Sequence, residues 1–193
     1  MMAGSTAMLI DQKLRDYRPE NAAEQEVALI EIVQHFVLAM LARTGFFERS
    51  VFHGGTHLRI AHELPRFSED LDFVLKAPAR AFAWSRYLDE ATAACSVYGF
   101  EFEIKDRGIA DSAVRAAFLK TDSIGKQVSV TLPFARSQKQ KIHIKLEIDT
   151  NPPAGADFET QFITFPVPTT LTGMTLASSF AGKSHALLCR EYV

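Results

Sequence analysis

The sequence predicts an α/β fold of the α+β kind, a small mixed twisted sheet flanked by helices. Three observations predict it. Apolar residues at helical spacing occupy the early part of the chain and its last stretch, strand-like alternation fills most of the middle, and a glycine pair joins a short strand to a helix. The 193 residues and 47% hydrophobic content suit one full core with appendages. The expected organisation is an N-terminal helical region over 1–45, a core over 46–168, and a C-terminal helix over 169–193 that begins a further helical region.

Each element follows in order. "PENAAEQEVALIEIVQHFVLAMLARTGF" opens on Pro19 and acidic residues, carries Val27, Ile30, Val33, Val37 and Leu41 at helical spacing, and stops at Gly45. It reads as a long amphipathic helix, an accessory able to meet a partner. "SVFHGG" reads as a short strand, "THLRIAHE" as one or two helical turns, and "DLDFVL" as a second strand. "PARAFAWSRYLDEATAACSVYG" has proline near its start and Gly99 at its end, the asymmetry of a helix. "FEFEIKD", "RAAFLKT", "QVSVTLP" and "KIHIKLEIDT" alternate as strands do, "FITFPVP" is one more extended piece, and "LASSFAGKSHALLCREYV" closes the chain as a helix. Trp84 and the phenylalanines, among them Phe46, Phe47, Phe73, Phe100 and Phe102, fall on inward positions and are assigned to the core.

Composition narrows the function. Lys and Arg number 21 against 23 Asp and Glu, so the net charge of -2 gives no overall attraction for a polyanion, and any nucleic acid must be gripped by a local patch. The two cysteines, Cys95 and Cys189, have neither disulfide-scaffold nor zinc-site spacing. No signal-peptide pattern opens the chain and no run approaches the ~20 apolar residues of a bilayer span, so a cytoplasmic protein without membrane contact is expected.

Four features carry chemistry, each beside a plainer reading. The turn His53-Gly54-Gly55-Thr56 lets backbone approach a bulky anion at a helix N-terminus, although most Gly-Gly pairs only make tight turns. In "SEDLDF", strand alternation puts Asp70 and Asp72 on one surface, either solvated or neutralising a cation such as magnesium. In "KIHIKLEIDT", Ile142, Ile144, Leu146 and Ile148 take the apolar face and Lys141, His143, Lys145, Glu147 and Asp149 the polar one. Asp149 can join the earlier pair if the strands are neighbours, or be a turn residue ahead of Asn151-Pro152. Lys183 and Arg190, seven residues apart, share a helix face that either delivers a cation to phosphate or is merely solvated. His53, His57 and His62 are assigned no metal, because the glycines interrupt the helix a histidine pair would need.

The order "GGTHLRI", "RFSEDLDF", "LEID", "FAGKSHALLCRE" resembles the AbiEii/AbiGii toxin family of nucleotidyltransferases, within the DNA polymerase β-like superfamily, from about Phe46 onward. The resemblance implies a nucleotidyltransferase-fold core that binds Mg2+ or Mn2+ and takes a nucleoside triphosphate. It matches Gly54, Gly55 and Thr56 to the triphosphate turn, Arg66 and Ser68 to the residues ahead of the metal-binding Asp70 and Asp72, Asp149 to the third carboxylate, and Lys183 to the phosphate-binding lysine. It implies nucleotide transfer to an acceptor hydroxyl such as that of tRNA, and an antitoxin partner. Arg136, Lys139, Lys141, His143 and Lys145 form a basic stretch that suits RNA, or equally a lysine-guarded edge strand. The family's acidic segment beyond the last helix is missing from the sequence. A catalytically impaired nucleotide- or antitoxin-binding module is therefore the alternative.

Overall fold

The computed structural model describes residues 2–106, 113–122, 127, 130, 132–134 and 141–189. Their order is α1 (Met2–Tyr17), α2 (Ala22–Arg43), α3 (Phe46–Arg49), β1 (Ser50–His53), α4 (Gly54–His62), β2 (Asp70–Leu75), α5 (Ser85–Ser96), β3 (Phe102–Asp106), β4 (Val114–Thr121), β5 (Ile142–Asp149), β6 (Phe158–Ile163), β7 (Thr169–Met174) and α6 (Leu176–Cys189). The strands form one sheet in the order β3-β4-β5-β2-β1-β7-β6. Two pairings are parallel, β2 with β5 and β1 with β7, and the rest are antiparallel, so the sheet is mixed. The α/β class read from the sequence is therefore the observed one.

The first long helix differs from its expected form. The Asn21 side chain accepts from the Glu24 N–H at 3.0 Å while the Glu24 carboxylate accepts from the Glu20 N–H, a reciprocal cap that fixes the start. From Glu31 to Leu41 every side chain of α2 is buried, because the helix lies between α1, α5 and the sheet. It is a central core helix and not an amphipathic accessory. Contrary to the sequence estimate, it is long and apolar enough to cross a membrane, but 78% of its most apolar window is buried inside the protein. Phe36 stacks edge-on against Tyr98 and Phe165 and tilts on Phe100, tying α2 to three later segments. Phe46, Phe47, Phe73, Phe100 and Trp84 are buried as expected, and Phe102 is partly so.

Two further differences have local causes. The α5 helix begins at Ser85 and not near Pro78, because the Arg115 guanidinium draws off the Arg80 and Phe82 carbonyls and the Ala79 N–H donates to Thr150. The expected single extended piece around "FITFPVP" is a hairpin, with Phe158–Ile163 paired to Thr169–Met174. The second strand, rich in threonine and containing Gly173, has too weak an alternation to be read alone; pairing with β1 and β6 makes it a strand. The strand expected over "QVSVTLP" lies largely outside the described residues.

Burial also makes stability pH-dependent. His35 and His57 are pushed down to about 4, first by burial. Between pH 6.5 and 4 the unfolded chain binds protons there that the native state refuses, so stability is lost as pH falls through that window. A falling melting temperature from pH 7 to 4.5, flattened by His57→Gln, is the expected calorimetric result.

Candidate active site

One face of the sheet carries the main core, and the other holds the carboxylates beside a small buried apolar cluster of Val51, Val74 and Met174. Leu71 and Phe73 point into the core, while Asp70 and Asp72 are half-buried on the opposite side. On β5, Ile142, Ile144, Leu146 and Ile148 are buried as the alternation requires, which leaves Lys145, Glu147 and Asp149 on the face of the aspartates. Parallel pairing sets Asp70 opposite Lys145, Asp72 opposite Glu147, and Val74 opposite Asp149.

The register brings a third carboxylate, Glu147, to the aspartate pair. Oxygens of Asp70, Asp72 and Glu147 lie within 4.8 Å of one another, an oxygen-only donor set of the kind hard divalent cations accept. Asp149, the residue first matched to that role, sits one pair further along the strands, and its Oδ1 accepts from the Asn151 N–H at 2.8 Å. It still lines the cavity beside the cluster, together with His53, Gly54, Asp72 and Lys183. Glu147 was visible in the sequence only as one of several polar-face residues. No sequence signal distinguishes it from Asp149 without the strand register.

Like charges this close are costly. Asp72 is raised to about 6, first by burial, then by Asp70 and Glu147, with Lys183 and Lys145 opposing. Lys145 Nζ lies 3.4 Å from Asp70 Oδ2 and 3.0 Å from Glu147 Oε1. His53, opposite Asp72 in the antiparallel β1–β2 pair, is lowered by burial in spite of its backbone hydrogen bond at Phe73.

The glycine pair is explained by contact. The pair opens α4 and does not break it, and the His53 side chain makes no capping hydrogen bond to the first-turn N–H groups. Gly54 has φ +83°, and a Cβ on it would meet Asp72 Oδ2, with Asp72 Cβ and Cγ at 2.9 Å. At Gly55 a Cβ would meet Ser68 Oγ at 2.6 Å. Gly54→Ala therefore combines a strained backbone with displacement of Asp72, and should cost about 1–3 kcal/mol of stability by denaturant titration together with most metal affinity. Gly55→Ala should be milder, since the Ser68 hydroxyl can rotate away.

Other predicted residues are placed differently. Thr56 is fully buried and its hydroxyl donates to the Asp70 carbonyl at 2.5 Å, so the side chain anchors β2. Arg66 is exposed in the loop before β2 and is not among the cavity's lining residues. Gln34, unnoticed in the sequence, donates from the core to the Ser68 and Glu69 carbonyls at 3.1 and 2.8 Å, fixing the chain just ahead of Asp70. His57 and His62 both lie inside α4, and each is engaged by Gln161, at 2.8 and 3.1 Å. Within the basic stretch, Arg136 and Lys139 lie outside the described residues, as does Arg190 on the last helix. Cys95 is buried with its thiol pushed up to about 12, and Cys189 is exposed.

Beside the cluster opens a cavity of about 660 Å³. Lys183, from α6, stands with Asp72 and Gly54 along its wall, and Val74, Met174 and Ala156 supply an apolar part. The walls thus combine one ammonium, the carboxylates of Asp72 and Asp149, and an apolar part.

The family model for "Nucleotidyl transferase AbiEii toxin, Type IV TA system" matches residues 36–192. The fold is similar to the crystal structure of JHP933 from Helicobacter pylori, with 18% identity over 81% of this chain and a TM-score of 0.51. A second H. pylori crystal structure, described provisionally as a nucleotidyltransferase, aligns over 79% of this chain at 18% identity and a TM-score of 0.49. The aligned part spans 57% of the length of each of these proteins. No curated protein matches.

Proposed function

This chain belongs to the AbiEii nucleotidyltransferase toxin family, and from that premise we propose that it transfers a nucleotide from a nucleoside triphosphate to an acceptor hydroxyl on RNA, with tRNA as the first candidate. The observation that carries the proposal is the convergence of Asp70, Asp72 and Glu147 beside the Gly54 turn, with Asp72 also lining the cavity that Lys183 lines.

The roles follow from charge. The N-terminus of α4 and the Lys183 ammonium hold the triphosphate, the first through backbone N–H groups and the second as a point charge. The apolar wall of Val74, Met174 and Ala156 takes the base or sugar. Asp70, Asp72 and Glu147 are the residues that would hold Mg2+ or Mn2+, with Asp149 at the edge of the site. A divalent ion there would neutralise phosphate charge and sharpen the acceptor oxygen as a nucleophile. The acceptor hydroxyl releases its proton to solvent as its oxygen bonds the α-phosphorus, the bond from that phosphorus to the α–β bridging oxygen breaks, and pyrophosphate leaves. Positioning and charge neutralisation supply most of the acceleration.

RNA is favoured as acceptor by the basic side chains on the carboxylate face. Lys120 and His143 are directly opposite each other across β4 and β5, two residues along from Lys145 on that side of the sheet. A contact there would make binding salt-dependent. An antitoxin is the expected protein partner of a chain in this family.

The test is incubation with labelled nucleoside triphosphates, Mg2+ or Mn2+ and a tRNA pool. Metal-dependent label in the tRNA is the expected result. Nucleotide binding by calorimetry without label transfer to any RNA would leave a binding module and remove the enzyme reading.

A further inference from the structure

We propose that Lys145 is a built-in counter-ion which a divalent cation must displace, so that this one ammonium sets how tightly the carboxylate cluster takes metal. The inference rests on the reading of Asp70, Asp72 and Glu147 as metal ligands and adds to it a competitor supplied by the protein itself.

The geometry is specific. Lys145 Nζ bridges Asp70 and Glu147, two of the three carboxylates that converge. Strand register holds it there, since Lys145 is the direct partner of Asp70 in the β2–β5 ladder and lies two residues before Glu147 on the same face. Among the described residues, no other basic side chain forms an ion pair with these carboxylates. The ammonium therefore relieves the repulsion that would otherwise act across the cluster in the metal-free protein.

A cation bound to the same oxygens removes the reason for that position. Two positive charges sharing Asp70 and Glu147 would repel each other at close range. The Lys145 side chain is 33% exposed and its stem is flexible, so the ammonium can swing out to water. Metal entry is thus an exchange of one positive group for another, and its free energy is reduced by what the lysine pairing was worth. Lys183, on a separate helix, forms no ion pair among the described residues and would remain available to phosphate when metal enters.

The test is calorimetric titration of the full chain with MnCl2 in the absence of nucleotide, alongside the melting temperature of the metal-free protein. Lys145→Met is expected to bind Mn2+ about tenfold more tightly than wild type while melting at a lower temperature without metal. Lys145→Arg, whose planar fork can clasp two carboxylates, is expected to bind Mn2+ more weakly than wild type, and it decides the question if the methionine variant does not fold. Unchanged or weaker Mn2+ binding by Lys145→Met, or unchanged binding by Lys145→Arg, overturns the proposal. If wild type itself takes up no Mn2+, the metal reading falls and this inference with it; if wild type binds Mn2+ and the variants match it, only the displacement falls.

Discussion

Asp72→Asn is expected to lower nucleotide transfer by a factor of about 10³ or more while raising the melting temperature of the metal-free protein at pH 7.5. The two effects have one cause. Asp72 touches the Gly54 turn and belongs to the converging carboxylates, so it is where a cation and a phosphate would meet. Without a cation the same position is unfavourable for a charge: burial, then Asp70, then Glu147 raise its carboxyl to about 6. For an acid raised in the native state, stability is present below the unfolded pKa and is lost as pH rises through the folded one, because the native state keeps a proton the unfolded chain has released. At pH 7.5 the metal-free protein bears that whole loss. Asparagine keeps the shape and removes the charge, so the fold gains what the site gives up. On acidification the variant should also decline more steeply than wild type, having lost a group that opposes His35 and His57 between pH 6 and 4. Calorimetric melting across pH, read beside the labelling assay, checks both halves. A less stable variant with intact transfer would contradict the assignment.

The second large effect separates two candidates for one role. Glu147→Gln is expected to lower transfer by about 10²-fold or more and to weaken Mn2+ binding, because it takes a ligand oxygen from the cluster and leaves Lys145 paired with Asp70 alone. Asp149→Asn should cost less than about tenfold, since asparagine can still accept the Asn151 N–H that the aspartate accepts now. Side-by-side kinetics and Mn2+ titration decide between them. The reverse ranking would return the ligand role to Asp149.

Much of this site is legible in the sequence. Alternation placed Asp70 and Asp72 together, gave the bounds of "DLDFVL" as a strand, and listed Glu147 and Asp149 on one face of theirs. The glycine turn was found, but not its reason, which is the side chains of Asp72 and Ser68 pressing on it from a separate segment. Thr56 was matched to the triphosphate turn, and its hydroxyl donates to the Asp70 carbonyl, a contact that the sequence does not reveal. The last strand escaped notice, since its threonines and glycine become a strand only when β1 and β6 flank them. Gln34 has no signal in the sequence that marks it out. It became a clamp because the helix was buried whole.

By itself, then, the sequence determined which residues face together within each segment, because side-chain direction follows from backbone periodicity of two or 3.6 residues and needs no partner. Only the tertiary structure decided which faces meet. Whether Glu147 or Asp149 stands beside Asp72 depends on the sliding register of two strands about 70 residues apart in the chain, and that register is set by the packing of Leu71 and Phe73 against Leu146 and Ile148 in the shared core.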